Sequence, residues 1–409
     1  MPDRASPAAA LLTPEAVRER SHELYALGLD NRLQHWVVQP EAMAATADLV
    51  AEVVRQNYPD LQVPFHARWR HFLPDGAPIL ARMAGRIGDD PATLLRAQLD
   101  LTIVSVLLDA GAGMAWRYRD ATTGKDYARS EGLAMASLAL FASGAFADDE
   151  QSPRVDAARL RAMTAVELGA GLQVTPENPL AGLEGRAALL RRLGETLAAA
   201  PGIFARVHTP RPSGLVDGLV EQLEDDALPA RTILLALLRH LGPIWPGRES
   251  LEGVNLGDCW RHPGIRRADE TAGLIPFHKL SQWLAYSLIE PLEAAGVPVT
   301  DVDALTGLPE YRNGGLFLDM GVIRPRDPAV LETEHAPSDL LIVEWRALTV
   351  ALLDAIAPMV RARLGVSAAD FPLARVLEGG TWWAGRRLAG ERRADGGPPL
   401  RVASDGTVF

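Results

Sequence analysis

A single cysteine, Cys259, occurs in 409 residues, which excludes an internal disulfide and any cysteine-rich zinc site and suits a reducing compartment. Basic residues are also in deficit. Lys and Arg number 41 against 52 Asp and Glu, a formal charge of −11, whereas a nucleic-acid scaffold needs clustered cations. No long apolar run exists. The longest, around Leu101 to Leu108, includes Thr102 and Ser105 and falls far short of the roughly 20 residues that span a bilayer. The stretch from Met1 to Leu12 is too short in apolar residues, and too acidic at its flanks, for a signal peptide, so the chain is expected to be cytoplasmic. Absent too are a Gly-x-Gly-x-x-Gly after a strand, a phosphate loop, a Gly-x-Ser-x-Gly elbow and a His-Glu-x-x-His pair. Repeats and low-complexity tracts are missing, and no stretch reads as a clear linker.

What remains is helical spacing. Hydrophobic residues make up 48% and charged residues 23%, ordinary values for a globular chain. Thr13-Pro14 and Asp90-Pro91 each place a side-chain cap before a proline in the first turn, and a further helix runs from Ser130 to a stop at Gly144. Helices are predicted at about 182–200, 229–241, 277–295, 339–364 (after a Ser338 cap, with Pro358 kinking or splitting it) and 372–394. Loops are predicted at 72–78, 174–182, 208–214, 243–273 and 296–315. The clearest strand signal is a carboxyl-terminal β-hairpin, 400–403 and 407–409 around Ser404-Asp405-Gly406. The fold expected is mainly α, one multi-helix domain over 1–409, with an amino-terminal subdomain at 1–150 as the only division suggested.

Three constellations carry polar groups in apolar settings. Glu310-Tyr311-Arg312-Asn313 packs a carboxylate, a phenol, a guanidinium and an amide ahead of Gly314-Gly315, read as a tight turn or a close approach to a ligand. Lys279, Gln282, Tyr286 and Glu290 form one polar stripe on the 277–290 helix, either a pocket wall or a solvated face. Glu344 and Arg346, two apart, point to different sides of their helix, so each needs its own partner, structural or ligand. A fourth stretch, Phe65 to Phe72, mixes rings with Arg68, Arg70, His66 and His71 and suits either an anion or an outer cover of the core. No carboxylate stands at a spacing that would make the two histidines metal ligands. Asp100 and Asp109, nine apart, lie on opposite faces of one helix and cannot pair through it.

The motifs Phe277 to Trp283, Leu305 to Gly315, Glu344 to Thr349 and Ser404 to Phe409 resemble the signature stretches of the uracil-catabolism protein 4 family of fungi and bacteria, a likeness running from Phe65 to Phe409. That family is tied to a pathway in which uracil becomes a nucleotide, its ring is opened and urea is released. Glu310-Tyr311-Arg312, Met320-Gly321-Val322-Ile323 and Glu344-Trp345-Arg346-Ala347 further resemble, in order and spacing, motifs of the queuosine-salvage nucleosidases, helical proteins akin to DNA glycosylases. Phe277 to Gln282 is similar to that family's aromatic-x-Lys-x-x-Gln helix. Glu310 stands where those enzymes have Asp, which shifts the carboxylate oxygen by about one methylene, and Asn313-Gly314-Gly315 replaces a stiffer segment, so the substrate geometry is expected to differ.

The resemblance implies an N-ribosyl hydrolase acting on a ring-opened uracil nucleoside or nucleotide, such as ribosylurea or its 5′-phosphate. Glu310 would be the catalytic carboxylate. Lys279, Gln282, Tyr311, Arg312, Asn313 and His278 would bind substrate, and Glu344, Arg346 and Tyr286 would brace them. Such chemistry requires no cofactor and no metal. The partner expected is a small ribosyl or ureido compound, with neither nucleic acid nor membrane. Two alternatives remain: a protein that binds and channels a pathway intermediate, and a phosphoribosyltransferase, suggested by the acidic stretch Val299 to Gly307.

Overall fold

Local signals set most helix starts. In the computed structural model, which describes residues 6–72, 86–88, 90–149, 152–206 and 209–403, Thr13 accepts from the Ala16 amide at 3.1 Å and opens Pro14–Leu29. Asp90 does the same for Pro91–Leu107, accepting from Thr93. Gly144 and Gly365, at φ of 83° and 74°, close Arg129–Ser143 and Leu340–Leu364. Strands are short. Among the described residues each of the six sheets has two strands, so the fold is mainly α.

The described residues form two compact units, one within 6–66, 247–282 and 301–403, the other within 67–246 and 283–300. At the centre of the first stands Leu340–Leu364, which buries apolar residues on every side and is therefore a core helix rather than an amphipathic one. Pro14–Leu29, Met43–Asn57 and Tyr311–Asp319 pack against it. Pro358 is exposed in its carboxyl-terminal third, where burial is no longer all-round, and does not interrupt it. The strands Trp36–Val38 and Ile323–Pro325 pair antiparallel, as do Cys259–Arg261 and Leu274–Pro276.

The second unit centres on Pro91–Leu107, Arg129–Ser143 and Leu183–Ala199. Arg68 is buried there, its guanidinium donating to Ser105 at 2.7 Å and paired with Asp109 at 3.1 Å. Asp100 takes Arg211 and the Ser213 amide. The two aspartates serve different partners, consistent with their opposite faces.

Some expectations change in detail. The stretch predicted as loop to residue 315 is helical from Tyr311 to Asp319, because Glu310 supplies a cap and the glycines bring the helix against its neighbours: a Cβ on Gly314 would lie 2.7 Å from the Trp345 ring. The helix predicted at 372–394 is present as one run, Leu373–Val376 and Trp382–Arg392 joined by a π-turn at Leu377–Thr381. Asp339, not Ser338, precedes the Leu340 helix. The helix Met43–Asn57 went unread. As for the terminal hairpin, 404–409 lies outside the described residues, and Arg401–Val402 pairs parallel with Glu334–His335.

Candidate functional site

Glu310 is the N-cap of the Tyr311–Asp319 helix. Its Oε2 accepts from the Arg312 amide at 2.7 Å and its Oε1 from the Asn313 amide at 2.6 Å, which fixes the carboxylate while leaving each oxygen a further lone pair. The side chain is buried. Burial pushes its pKa up, the two amide bonds and the charges of Lys279 and His66 pull it down, and the net shift is upward. A carboxylate held rigidly at a helix amino terminus, with its proton affinity raised, has the properties of a general base or a cation stabiliser.

The groups around it come from four parts of the first unit. His66 and Glu378 form a buried pair, Nδ1 to Oε2 at 2.7 Å. Glu378 lies in the π-turn, a local distortion found disproportionately at functional sites. From the same turn Thr381 donates to Asn313 Oδ1 at 2.8 Å, tying the π-turn to the Glu310 helix. Asn313 Nδ2 donates to the Leu308 carbonyl, and Gln282 holds Thr306 through Nε2 to Oγ1 at 2.7 Å, so the strand of chain entering Glu310 is gripped from both sides.

Lys279 is placed by Asp258. This carboxylate accepts the Lys279 amide at 3.0 Å and Trp260 Nε1 at 2.7 Å, and takes a two-pronged Arg346 guanidinium at 2.7 Å on each oxygen. Burial would raise the Asp258 pKa, but the charge and hydrogen bonds of Arg346 outweigh it and hold the carboxyl well below the usual range. Arg346 also stacks over Phe277, 4.2 Å from the ring centre.

The predicted residues divide accordingly. Glu310, Asn313 and Lys279 gather with His66 and Glu378. Gln282 is fully buried on Thr306, so the solvated-face reading of its stripe does not hold. Tyr286, buried, and Glu290, paired with Arg70, belong to the second unit. Arg312 donates to the Gly396 carbonyl at 3.1 Å and lies over Tyr311, 5.1 Å from its ring centre. His278 sits in the left-handed region at φ 49° and bonds the Leu11 carbonyl; burial lowers its pKa. Glu344 accepts the Gln34 and His35 amides at 2.9 Å and faces His262 Nε2 at 3.3 Å. Because His262 Nδ1 accepts from the Gly264 amide, its Nε2 carries the proton.

Asp258 stands out in the sequence as a polar residue in an apolar setting and His66 as part of the Phe65 to Phe72 stretch, but neither the pairing of His66 with Glu378 nor that of Asp258 with Arg346 is legible there. The only signal for Glu378 was Gly379-Gly380 inside a helical pattern. Asp303, one of the two acids of the transferase-like stretch, takes Arg361 at 2.7 Å and the Leu373 amide. Among the described residues no group of three or more His, Cys, Asp or Glu is arranged to hold a metal ion, and no helix is long and apolar enough to cross a membrane.

Comparison with known proteins places this arrangement in a family. The chain is 40% identical over 412 residues to Protein urg3 of Schizosaccharomyces pombe (strain 972 / ATCC 24843), covering 98% of each chain. It is 36% identical over 431 residues to Uracil catabolism protein 4 of Lachancea kluyveri, covering 96% of this chain and 97% of the other. A family model described as a protein of unknown function, DUF1688, matches residues 10–409, and the chain therefore belongs to that family.

Proposed function

We propose that this chain acts in uracil catabolism, as the name of its Lachancea kluyveri relative says of that protein, and that it hydrolyses the N-ribosyl bond of a ring-opened uracil nucleoside or nucleotide. Ribosylurea and its 5′-phosphate are the candidate substrates. The observation that supports this reading most is Glu310, a buried, rigidly held carboxylate with raised proton affinity beside Lys279 and His66.

Breaking an N-ribosyl bond draws positive charge onto C1′, and a fixed carboxylate stabilises that charge and takes a proton from the attacking water. Glu310 has this role. Its raised pKa strengthens it as a base, while the neighbouring cations favour its ionised form. The departing ureido nitrogen must gain a proton. His66, bonded to Glu378 through Nδ1, is the proton donor assigned to it. Kinship with helical glycosylases is part of the same proposal.

Purified protein incubated with ribosylurea should release urea and ribose, and Glu310→Gln should lose on the order of 10²–10⁴-fold in rate. Release at the wild-type rate by the variant would eliminate Glu310 as the catalytic carboxylate. A binding and channelling role has one observation in its favour, the structural task of Glu310 as a helix cap, and it would show as a ligand-dependent rise in melting temperature without urea release.

A further inference from the structure

A concavity of about 640 Å³ on the first unit is lined by four arginines, Arg324, Arg326, Arg392 and Arg393, against one carboxylate, Asp319. On a chain with a net charge of −11, an excess of three positive charges in one hollow is out of keeping with the rest of the surface. Two of the arginines are already positioned. Arg393 binds Asp319 through both terminal nitrogens, at 2.9 and 2.6 Å, and Arg326 donates to the Leu33 and Asn31 carbonyls and to the Asn31 side chain, none of which cancels its charge. The other two, Arg324 on Ile323–Pro325 and Arg392 at the end of Trp382–Arg392, are exposed, and neither guanidinium makes a hydrogen bond or ion pair with another described residue. Leu318, Leu331 and Pro399 give the hollow an apolar wall.

We propose that this concavity binds a small phosphate-bearing metabolite, with Arg324 and Arg392 forking onto the phosphate and the apolar wall taking the rest of the molecule. Guanidinium groups match the geometry of phosphate oxygens with two parallel hydrogen bonds, and the held charges of Arg326 and Arg393 add to the attraction of the hollow for an anion. Asp319 and the carboxyl end of its helix oppose an anion, but Asp319 is already neutralised by Arg393. The site is separate from Glu310. The two mark opposite ends of Tyr311–Asp319, about 13 Å apart at a rise of about 1.5 Å per residue, farther than one ribose phosphate reaches. Arg312, next to Glu310, bonds Gly396 within the same turn that Arg393 closes through the Gly397 carbonyl.

Calorimetric titration of the full chain with inorganic phosphate, then with ribose 5-phosphate, tests the proposal. Saturable binding is expected, tighter for the sugar phosphate, weakened by added salt and weakened at least tenfold in Arg324→Ala/Arg392→Ala. Both side chains are exposed, so the fold should survive, and circular dichroism checks this. Arg324→Lys/Arg392→Lys, which keeps the charge but not the fork, should fall between. Titrating Glu310→Gln separates the two sites, since its phosphate affinity should match wild type. Absence of saturable binding to wild type, or equal affinity in the double alanine variant, would overturn the proposal and leave the reading of Glu310 untouched.

Discussion

Glu310 combines two tasks in one side chain, capping a helix and holding a buried negative charge among cations. Because its folded pKa lies above the ordinary Glu value of about 4.3, ionising it costs the fold stability. Stability linked to this group is fully present below that ordinary value and is lost as pH rises through the raised one. Denaturant titrations of wild type and Glu310→Gln from about pH 4 to pH 7 should therefore show wild type declining relative to the variant. A gap that stays constant with pH would mean the charge carries no burial cost. Asp258 behaves oppositely. Its lowered pKa gives stability that is present above the ordinary Asp value of about 3.9 and vanishes as pH falls through the folded value. Arg346→Ala strands this carboxylate, so a loss of about 3–5 kcal/mol and acid unfolding at a higher pH are expected. Adding Asp258→Asn should recover part of the loss, and no recovery would mean that Arg346 acts through packing alone.

At the scale of elements, the site is assembled by how closely helices approach. Gly385 in Trp382–Arg392 lets that helix rest on the backbone of Tyr311–Asp319: a Cβ there would run into the Arg312 carbonyl oxygen and lie 2.9 Å from its carbon. Backbone cannot rotate away as a side chain can. Gly385→Ala should thus cost at least about 1–3 kcal/mol, by analogy with overpacked cores, and should impair any activity that depends on Glu310. Gly390, on the same helix with nothing within 4 Å, supplies the control. Gly390→Ala should be neutral or slightly stabilising, through the smaller entropy of its unfolded chain. Equal melting temperatures for the two variants would contradict the close-approach argument. The π-turn at Leu377–Thr381 belongs to the same scale, since the extra residue it accommodates sets where Glu378 meets His66 and where Thr381 meets Asn313.

At the scale of the molecule, the lone cysteine reports on the integrity of the first unit. Cys259 is fully buried, and burial, reinforced by the charges of Asp258 and Glu249, pushes its thiol pKa far above the ordinary range. Only the thiolate is reactive. The native protein should consume almost no thiol reagent over minutes, and one equivalent once unfolded in guanidinium, with intermediate rates tracking local opening. Rapid native labelling would show that the strand pair Cys259–Arg261 and Leu274–Pro276 opens readily, and with it the hub that places Lys279.

The sequence by itself determined that this protein is mainly helical and where most helices begin, because caps, prolines and terminal glycines act within a few residues of where they stand: Thr13, Asp90, Gly144 and Gly365 each work through their own neighbours. It also determined that Glu344 and Arg346 need separate partners, since helical geometry alone turns them apart. It misled where a local preference met a tertiary demand. Gly314-Gly315 signals a turn to any short-range reading, yet the space beside Trp345 makes small residues inside a helix the better fit. Only the tertiary structure decided which acids and bases meet: His66 and Glu378 are 312 positions apart and Arg346 and Asp258 are 88 apart, and no local rule links such pairs. The electrostatics of Glu310 were decided there as well, because the pKa of a carboxyl depends on what surrounds it and the sequence records only what precedes and follows it.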